Sequence, residues 1–306
     1  MTPRHQNADP KADRNADRGL VSPRDWRRPS VRIWLTTAQV LLLAVLLVGA
    51  LGPMLWLVKA SISTTQEVLR TPLALWPNSP QWDNLTQAWT SIHLDRYFAN
   101  TLVIAAGSWL CQMLVATTGG FVLSVLRPRY ARVVNALVLA TLFVPTVVLL
   151  VPLYLTILDP PVLHHSLVNS FWAVWLPAGA SAFNVVVMTR FFDNLPGEVF
   201  EAARVDGAGP LRLLWSIALP MSRPVLGVVS VFACLASWKD FLWPLLVLPD
   251  PDRQPLSVRL PTLQSTTELD VFLAALLIST ALPVAAFLVF QRAFLHGQGL
   301  GGAVKG

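Results

Sequence analysis

Residues 193–224 read DNLPGEVFEAARVDGAGPLRLLWSIALPMSRP. The stretch is too polar and too often interrupted by Gly and Pro to cross a bilayer. Apolar runs long enough to do so flank it at 167–188 and 225–248. The chain is therefore expected to leave the membrane, fold a short helix and return. Asn194 is the expected N-cap, with Pro196 in the first turn and Glu198 and Glu201 near the positive end of the helix dipole. Gly207, Gly209 and Pro210 supply the stop. Pro210 opens a second helix reaching Leu219, after which Pro220, Ser222 and Pro224 lead into the next span. Such a helix either docks on a partner protein or lies at the lipid interface. Two acids near its start and a Gly-rich break, in place of a Lys/Arg-rich polar face, favour docking.

Working outward, four more runs of spanning length occur at 33–58, 101–126, 133–157 and 271–294. Of 306 residues, 54% are hydrophobic and 13% charged, against roughly 25% charged in a soluble domain. The first run exceeds a signal-peptide core of about 7–15 residues and no small-residue cleavage site follows it, so it reads as a retained span. The expected fold class is an all-α membrane protein with six transmembrane helices and the 193–224 segment between spans 4 and 5. Most basic residues fall on one side: eight from Arg4 to Arg32, then Arg127, Arg129, Arg132, Arg190, Arg204, Arg212, Arg223, Arg292 and Lys305. The positive-inside rule makes that side, the 193–224 segment and both termini cytoplasmic, leaving 61–96 and 249–270 outside. The net charge of +6 thus reflects topology and implies a lipid bilayer as partner, with no nucleic acid.

Residues 1–30 are expected to form a disordered cytoplasmic tail, too poor in apolar residues to offset chain entropy. Residues 31–306 then form the membrane domain. The outer loop 61–96, with Trp76, Trp82 and Trp89, suits an interfacial cap or a docking surface. Pro145 and Pro152 should each bend the third span, and Gly119-Gly120 should allow close helix packing. Cys111 and Cys234, both inside spans, read as buried packing residues. His164-His165 has no third ligand near it in sequence, so no metal site is assigned.

Glu201-Ala202-Ala203, then Asp206-Gly207-Ala208, then Leu219-Pro220 and Pro224, resemble the EAA signature of the inner-membrane permeases of ABC importers. Trp238-Lys239-Asp240-Phe241-Leu242-Trp243-Pro244 is similar to a run in the fifth span of carbohydrate permeases, with Lys239 where Asn is usual. Gln254-Pro255-Leu256-Ser257-Val258 and the tail 299–306 resemble the maltose-type subfamily. The resemblance implies that Glu201, Ala202, Ala203, Asp206, Gly207 and Pro220 couple the chain to a dimer of ABC ATPase subunits. It also implies a second permease subunit in a heterodimer, an extracytoplasmic solute-binding protein, a sugar-like substrate and a bacterial inner-membrane location. The last outer loop would meet the binding protein and the C-terminal tail the ATPase pair. No Gly-Lys dipeptide occurs, so the phosphate-cradling G-x-x-x-x-G-K-[ST] pattern is absent and ATP binds on another chain.

Two other classes of function compete with this one. A secondary transporter needs intramembrane ionisable groups, and Lys239 with Asp240 is the one strongly charged pair within a span. A membrane enzyme needs a nucleophile, base or metal cluster, and no such motif occurs; neither a catalytic residue nor a cofactor is assigned. Asn184, Trp238, Asp240 and Trp243 are the candidate solute-pathway residues, because aromatic faces and hydrogen-bonding groups suit sugar rings and hydroxyls.

Overall fold

A chain in hydrocarbon must satisfy its backbone polar groups internally, and this one does so with helices. The structure, a computed structural model, describes residues 29–297. Among the described residues there are helices and turns and no strand. The expected disordered tail falls on residues outside that range, except that residues 29 and 30 open the first helix; the tail 299–306 lies wholly outside it.

The helices are α1 (Pro29–Ser61), α2 (Thr65–Arg70), α3 (Asp83–Thr90) and α4 (Leu94–Phe121), the last prolonged by a π-helical turn at Val122–Leu126. There follow α5 (Ala131–Thr141), a 3-10 turn (Thr146–Leu149), α6 (Leu150–Leu158), α7 (Trp172–Gly179) and α8 (Ala182–Asp193). Next come α9 (Gly197–Val205), α10 (Pro210–Leu213), a second π-helical turn (Leu214–Ala218) and α11 (Leu219–Met221). The chain continues through α12 (Arg223–Lys239), α13 (Leu242–Val247), α14 (Leu256–Leu263) and α15 (Leu269–Gly297).

Two compact units divide at Trp56 and Leu57. In the first, α1 is apolar along its length, with Trp34, Leu42, Val45, Leu46 and Val48 all exposed, and it is long and apolar enough to cross a membrane. In the second, α4 is central: it packs against α7, α8 and α12, while α12 packs against α15 and α15 against α3.

Two helices, Pro29–Ser61 and Leu94–Leu126, are long and apolar enough to cross a membrane unbroken, and up to five spans result if each of three bent pairs counts as one. The run at 133–157 bends by 103° between Thr141 and Thr146. Pro145 makes that bend from an extended backbone (φ −60°, ψ 127°). Pro152 makes none, because it sits in the first turn of α6, where no intrahelical N–H is required. The run at 167–188 bends by 41° between α7 and α8. The run at 225–248, read as one span, instead breaks at Asp240, whose extended backbone (φ −67°, ψ 118°) separates α12 from α13.

Gly120 meets the expectation of close approach. A β-carbon there would lie 2.9 Å from Met188 Cβ and 3.0 Å from the Thr189 backbone N, so α4 and α8 touch through it. Cys111 is half-buried, but Cys234 is exposed. The inward face of α12 is taken by Val229 and Ala233, one turn apart, which turns Cys234 outward.

Candidate functional site

The 193–224 segment folds as two short helices around an exposed turn, but its start differs from expectation. Asn194 does not cap α9. It ends α8, donating from Nδ2 to Arg190 O (2.8 Å), and α9 begins at Gly197 behind Pro196. Glu198 alone of the two acids lies in the first turn; Glu201 is one turn further on.

The C-terminus of α9 is closed by a Schellman motif. Gly207 takes φ +80°, its N–H donates to Arg204 O (3.0 Å), and the Ala208 N–H reaches Ala203 O (2.9 Å). Gly209 is extended (φ −75°, ψ 168°) and caps α10, with Pro210 in that helix's first turn. The two glycines therefore do different work. Pro220 follows directly on the π-helical turn, in which the Leu219 N–H reaches back to Leu214 O; the proline has no N–H of its own to continue the ladder. The path then turns by 83° into α12 at Ser222, whose Oγ donates to Ala218 O (2.6 Å).

One face of α9 is used by the protein itself. Phe200, 4% exposed, enters a cluster with Phe121, Met188, Phe192, Leu213 and Leu214, and Ala203 and Ala208 pack against that cluster. Small residues at 203 and 208 let the backbone turn lie close to it. Glu201, Ala202, Asp206 and Gly207 face outward, beside the exposed Val205, Leu211 and Trp215.

Charged groups fix this end of the helices. The Asp193 carboxylate accepts from Ser124 Oγ (2.8 Å) and Arg127 Nη2 (3.2 Å), joining α8 to the end of α4. Arg204 donates from Nη2 to Val125 O (3.1 Å), joining α9 to the same place. Sequence reading missed this clamp, because Asp193 lies far along the chain from Ser124 and Arg127 and each looks like an ordinary helix-end polar residue.

The four pathway candidates separate. A cavity of about 920 Å³ is lined by Ser108, Gln112, Ser181, Ser237, Asp240 and Trp243, among others. Asp240 and Trp243 thus line the same cavity. Trp243 is held by its Nε1–H on Ala173 O (2.9 Å), and Asp240 receives a backbone hydrogen bond from Trp243. Asn184 is 3% exposed and is not among the lining residues, but it donates to Oε1 (2.7 Å) of Gln112, which is one of them. Trp238 turns away, packing edge-on against Phe98 with ring centroids 6.4 Å apart. Ser108, Gln112 and Ser237 were not singled out from the sequence. The available signal was Ser108 and Gln112 at i, i+4 spacing, a polar stripe inside an apolar run. Among the described residues no group of three or more His, Cys, Asp or Glu side chains suits a metal; His164 lies 3.9 Å from Asp159 in an exposed turn.

Residues 116–296, more than half of the chain, match the family model of the binding-protein-dependent transport system inner membrane component. The chain is 30% identical over 246 residues to the diacetylchitobiose uptake system permease protein NgcG of Streptomyces coelicolor, covering 78% of this chain and 80% of that one. It is 31% identical over 278 residues to the arabinooligosaccharides transport system permease protein AraQ of Halalkalibacterium halodurans, covering 89% and 96%. With the sn-glycerol-3-phosphate transport system permease protein UgpE of Escherichia coli it shares 29% over 276 residues, covering 87% and 96%. Its fold is similar, with a TM-score of 0.76 at 21% identity, to a chain in the crystal structure of a bacterial ABC transporter involved in the import of alginate, an acidic polysaccharide. That match covers 87% of this chain and 98% of that one. A helical membrane chain with the Glu201–Gly207 turn, matched over most of its length by transport permeases, belongs to the family of binding-protein-dependent transport system inner membrane components and is an inner-membrane permease subunit of an ABC importer, not an enzyme.

Proposed function

We propose that this chain forms one half of a transmembrane pathway for a sugar or related polar solute, paired with a second permease subunit and driven by a dimer of ATPase subunits that grips α9. An extracytoplasmic binding protein delivers the solute. Six spans then run through α1, α4, α5–α6, α7–α8, α12–α13 and α15, with residues 31–306 as the membrane domain and both termini cytoplasmic. Glu201 offers its carboxylate to a basic residue of the ATPase, and Ala202, Asp206 and Gly207 form the contact surface. Ala203 and Pro220 set the path of the backbone behind it. Asp240 and Trp243 line the pathway, which leaves Asn184 and Trp238 in supporting positions. The sugar class is supported by what two of the relatives are named for transporting.

One observation carries the coupling role. A helix resting at a lipid interface needs its apolar face for lipid, but the apolar face of α9, at Phe200 and Ala203, is already buried in the protein. What remains outward is the Glu201 carboxylate and the Gly207 turn, beside the exposed Val205, Leu211 and Trp215. Val205 follows Glu201 by one helical turn and adds an apolar contact on the same side.

The test is uptake into proteoliposomes holding the complete complex with its binding protein. Uptake should require ATP and the ATPase subunits; uptake driven by an ion gradient without them would establish a secondary transporter instead. Topology has its own measurement. In a background with Cys111 and Cys234 replaced by Ser, a membrane-impermeant thiol reagent applied to whole cells should label Gln81→Cys and spare Gly209→Cys. The reverse order would invert the topology.

A further inference from the structure

A helix leaves the carbonyls of its last turn without intrahelical partners and carries partial negative charge there. At the end of α4, in the π-helical turn Val122–Leu126, arginines from two parts of the chain meet those carbonyls. Arg127 follows directly in the chain; its backbone N–H reaches Val122 O (3.0 Å) and its Nε donates to Ser124 O (2.6 Å). Arg204 comes from α9, and its Nη2 donates to Val125 O (3.1 Å). Among the described residues this is the only hydrogen bond between α9 and the end of α4.

Phe200 stands one turn before Arg204 on the same side of α9 and is buried in the cluster that contains Phe121. Phe121 in turn stands about one turn before Val125 on α4. The two helices are therefore joined at two levels, one apolar and one polar. The other residues of α9 and its turn that pack on this cluster, Ala203 and Ala208, offer only methyl groups. From this end α4 runs back to Gln112 and Ser108, which line the cavity that Asp240 and Trp243 also line. Asp193 fastens the end of α8 to the same place through Ser124 and Arg127.

We propose that Arg204 is the positioning residue that ties α9 to α4, so that a displacement of α9 is passed to α4 and to the part of the cavity lining that α4 supplies. The proposal rests on the coupling reading above and deepens it: Glu201 and the Gly207 turn face the ATPase, while Arg204 faces the permease's own helices. Apolar burial is non-directional, so Phe200 by itself leaves α9 free to swivel against the cluster. A charge-assisted hydrogen bond one turn further on fixes the sense of the movement. Arg204 is otherwise exposed, and substitutions at exposed positions change folding stability little. Removing its guanidinium should therefore spare the fold and expose the loss of transmission.

The experiment is hydrogen–deuterium exchange, read by mass spectrometry on this chain, in the complete complex with its binding protein in lipid nanodiscs, with and without the non-hydrolysable ATP analogue AMP-PNP. In the unsubstituted complex the nucleotide should shift exchange both in α9 and in residues 108–126 of α4. In Arg204→Ala the shift should persist in α9 and be lost from α4. Arg204→Lys keeps a cationic donor and should restore part of the α4 shift. Arg212→Ala removes another exposed cation of the same segment and should leave both shifts in place. An α4 shift that survives Arg204→Ala, or one that is absent from the unsubstituted complex while α9 responds, would overturn the proposal. So would loss of the α4 shift in Arg212→Ala, which would point to net charge, or loss of the α9 shift in Arg204→Ala, which would place Arg204 on the ATPase contact. An α9 that does not respond to nucleotide in the unsubstituted complex would remove the coupling reading itself, and this proposal with it.

Discussion

Gly207→Val is expected to abolish solute-stimulated ATP hydrolysis and uptake together while the chain still inserts in the membrane. A β-carbon at position 207 would touch nothing within 4 Å, so the damage is conformational and not a clash. At φ +80° a β-branched residue carries strain of about 1–3 kcal/mol. The turn relieves that strain by giving up the two hydrogen bonds that close α9, and the outward face is then misaimed. Three controls locate the cause. Gly207→Asn should retain most activity, since Asn tolerates the left-handed region. Gly209→Ala should be close to normal, because Gly209 is extended. Glu201→Lys should lower the same two activities through reversed charge, with the turn intact. The readout is ATP hydrolysis by the complete complex with and without binding protein and solute. Full stimulation in both Gly207→Val and Glu201→Lys would sink the coupling role of α9.

Gly120→Val should prevent stable assembly of the helices themselves. Its β-carbon would meet Met188 Cβ at 2.9 Å, Thr189 N at 3.0 Å and Met188 C at 3.2 Å. Two of these are backbone atoms of α8 and cannot swing aside. Overpacking typically costs about 1–3 kcal/mol, and a rigid neighbour puts this site at the upper end. Gly119→Ala is the matched control, because its β-carbon would rest 3.7 Å from Val185 Cγ1, an ordinary contact. Thermal unfolding of the purified protein in detergent, followed by size-exclusion profile, should show a large loss for Gly120→Val and almost none for Gly119→Ala. Equal profiles for the two would mean that α4 and α8 do not meet at Gly120.

Read alone, the sequence determined what depends on local backbone preference and on transfer to lipid. The apolar runs mark where helices form. Pro145 marks a break, and Gly207 followed by Ala208 ends α9 in a left-handed turn that another residue would strain. The same local pattern carried the family, because residues 201–207 combine helix, turn and exposure within a few positions. Only the tertiary structure decided which faces meet. Asn194 and Pro196 both suit a helix start, yet Asn194 closes α8 by donating to Arg190 O one turn back, a local choice between two helix ends that the sequence left open. Asn184 and Trp238 have the chemistry of a pathway but spend it on Gln112 and Phe98. Ser108 and Ser237 look like unremarkable small residues in two spans. When α4 and α12 pack, both residues come to line one cavity, while their buried hydroxyls lack the one-turn-back bond that Thr101 and Thr117 make. Periodicity records which side of a helix is apolar, but whether a polar side chain on it finds a carbonyl, a neighbouring amide or an open space is set by the helix packed against it.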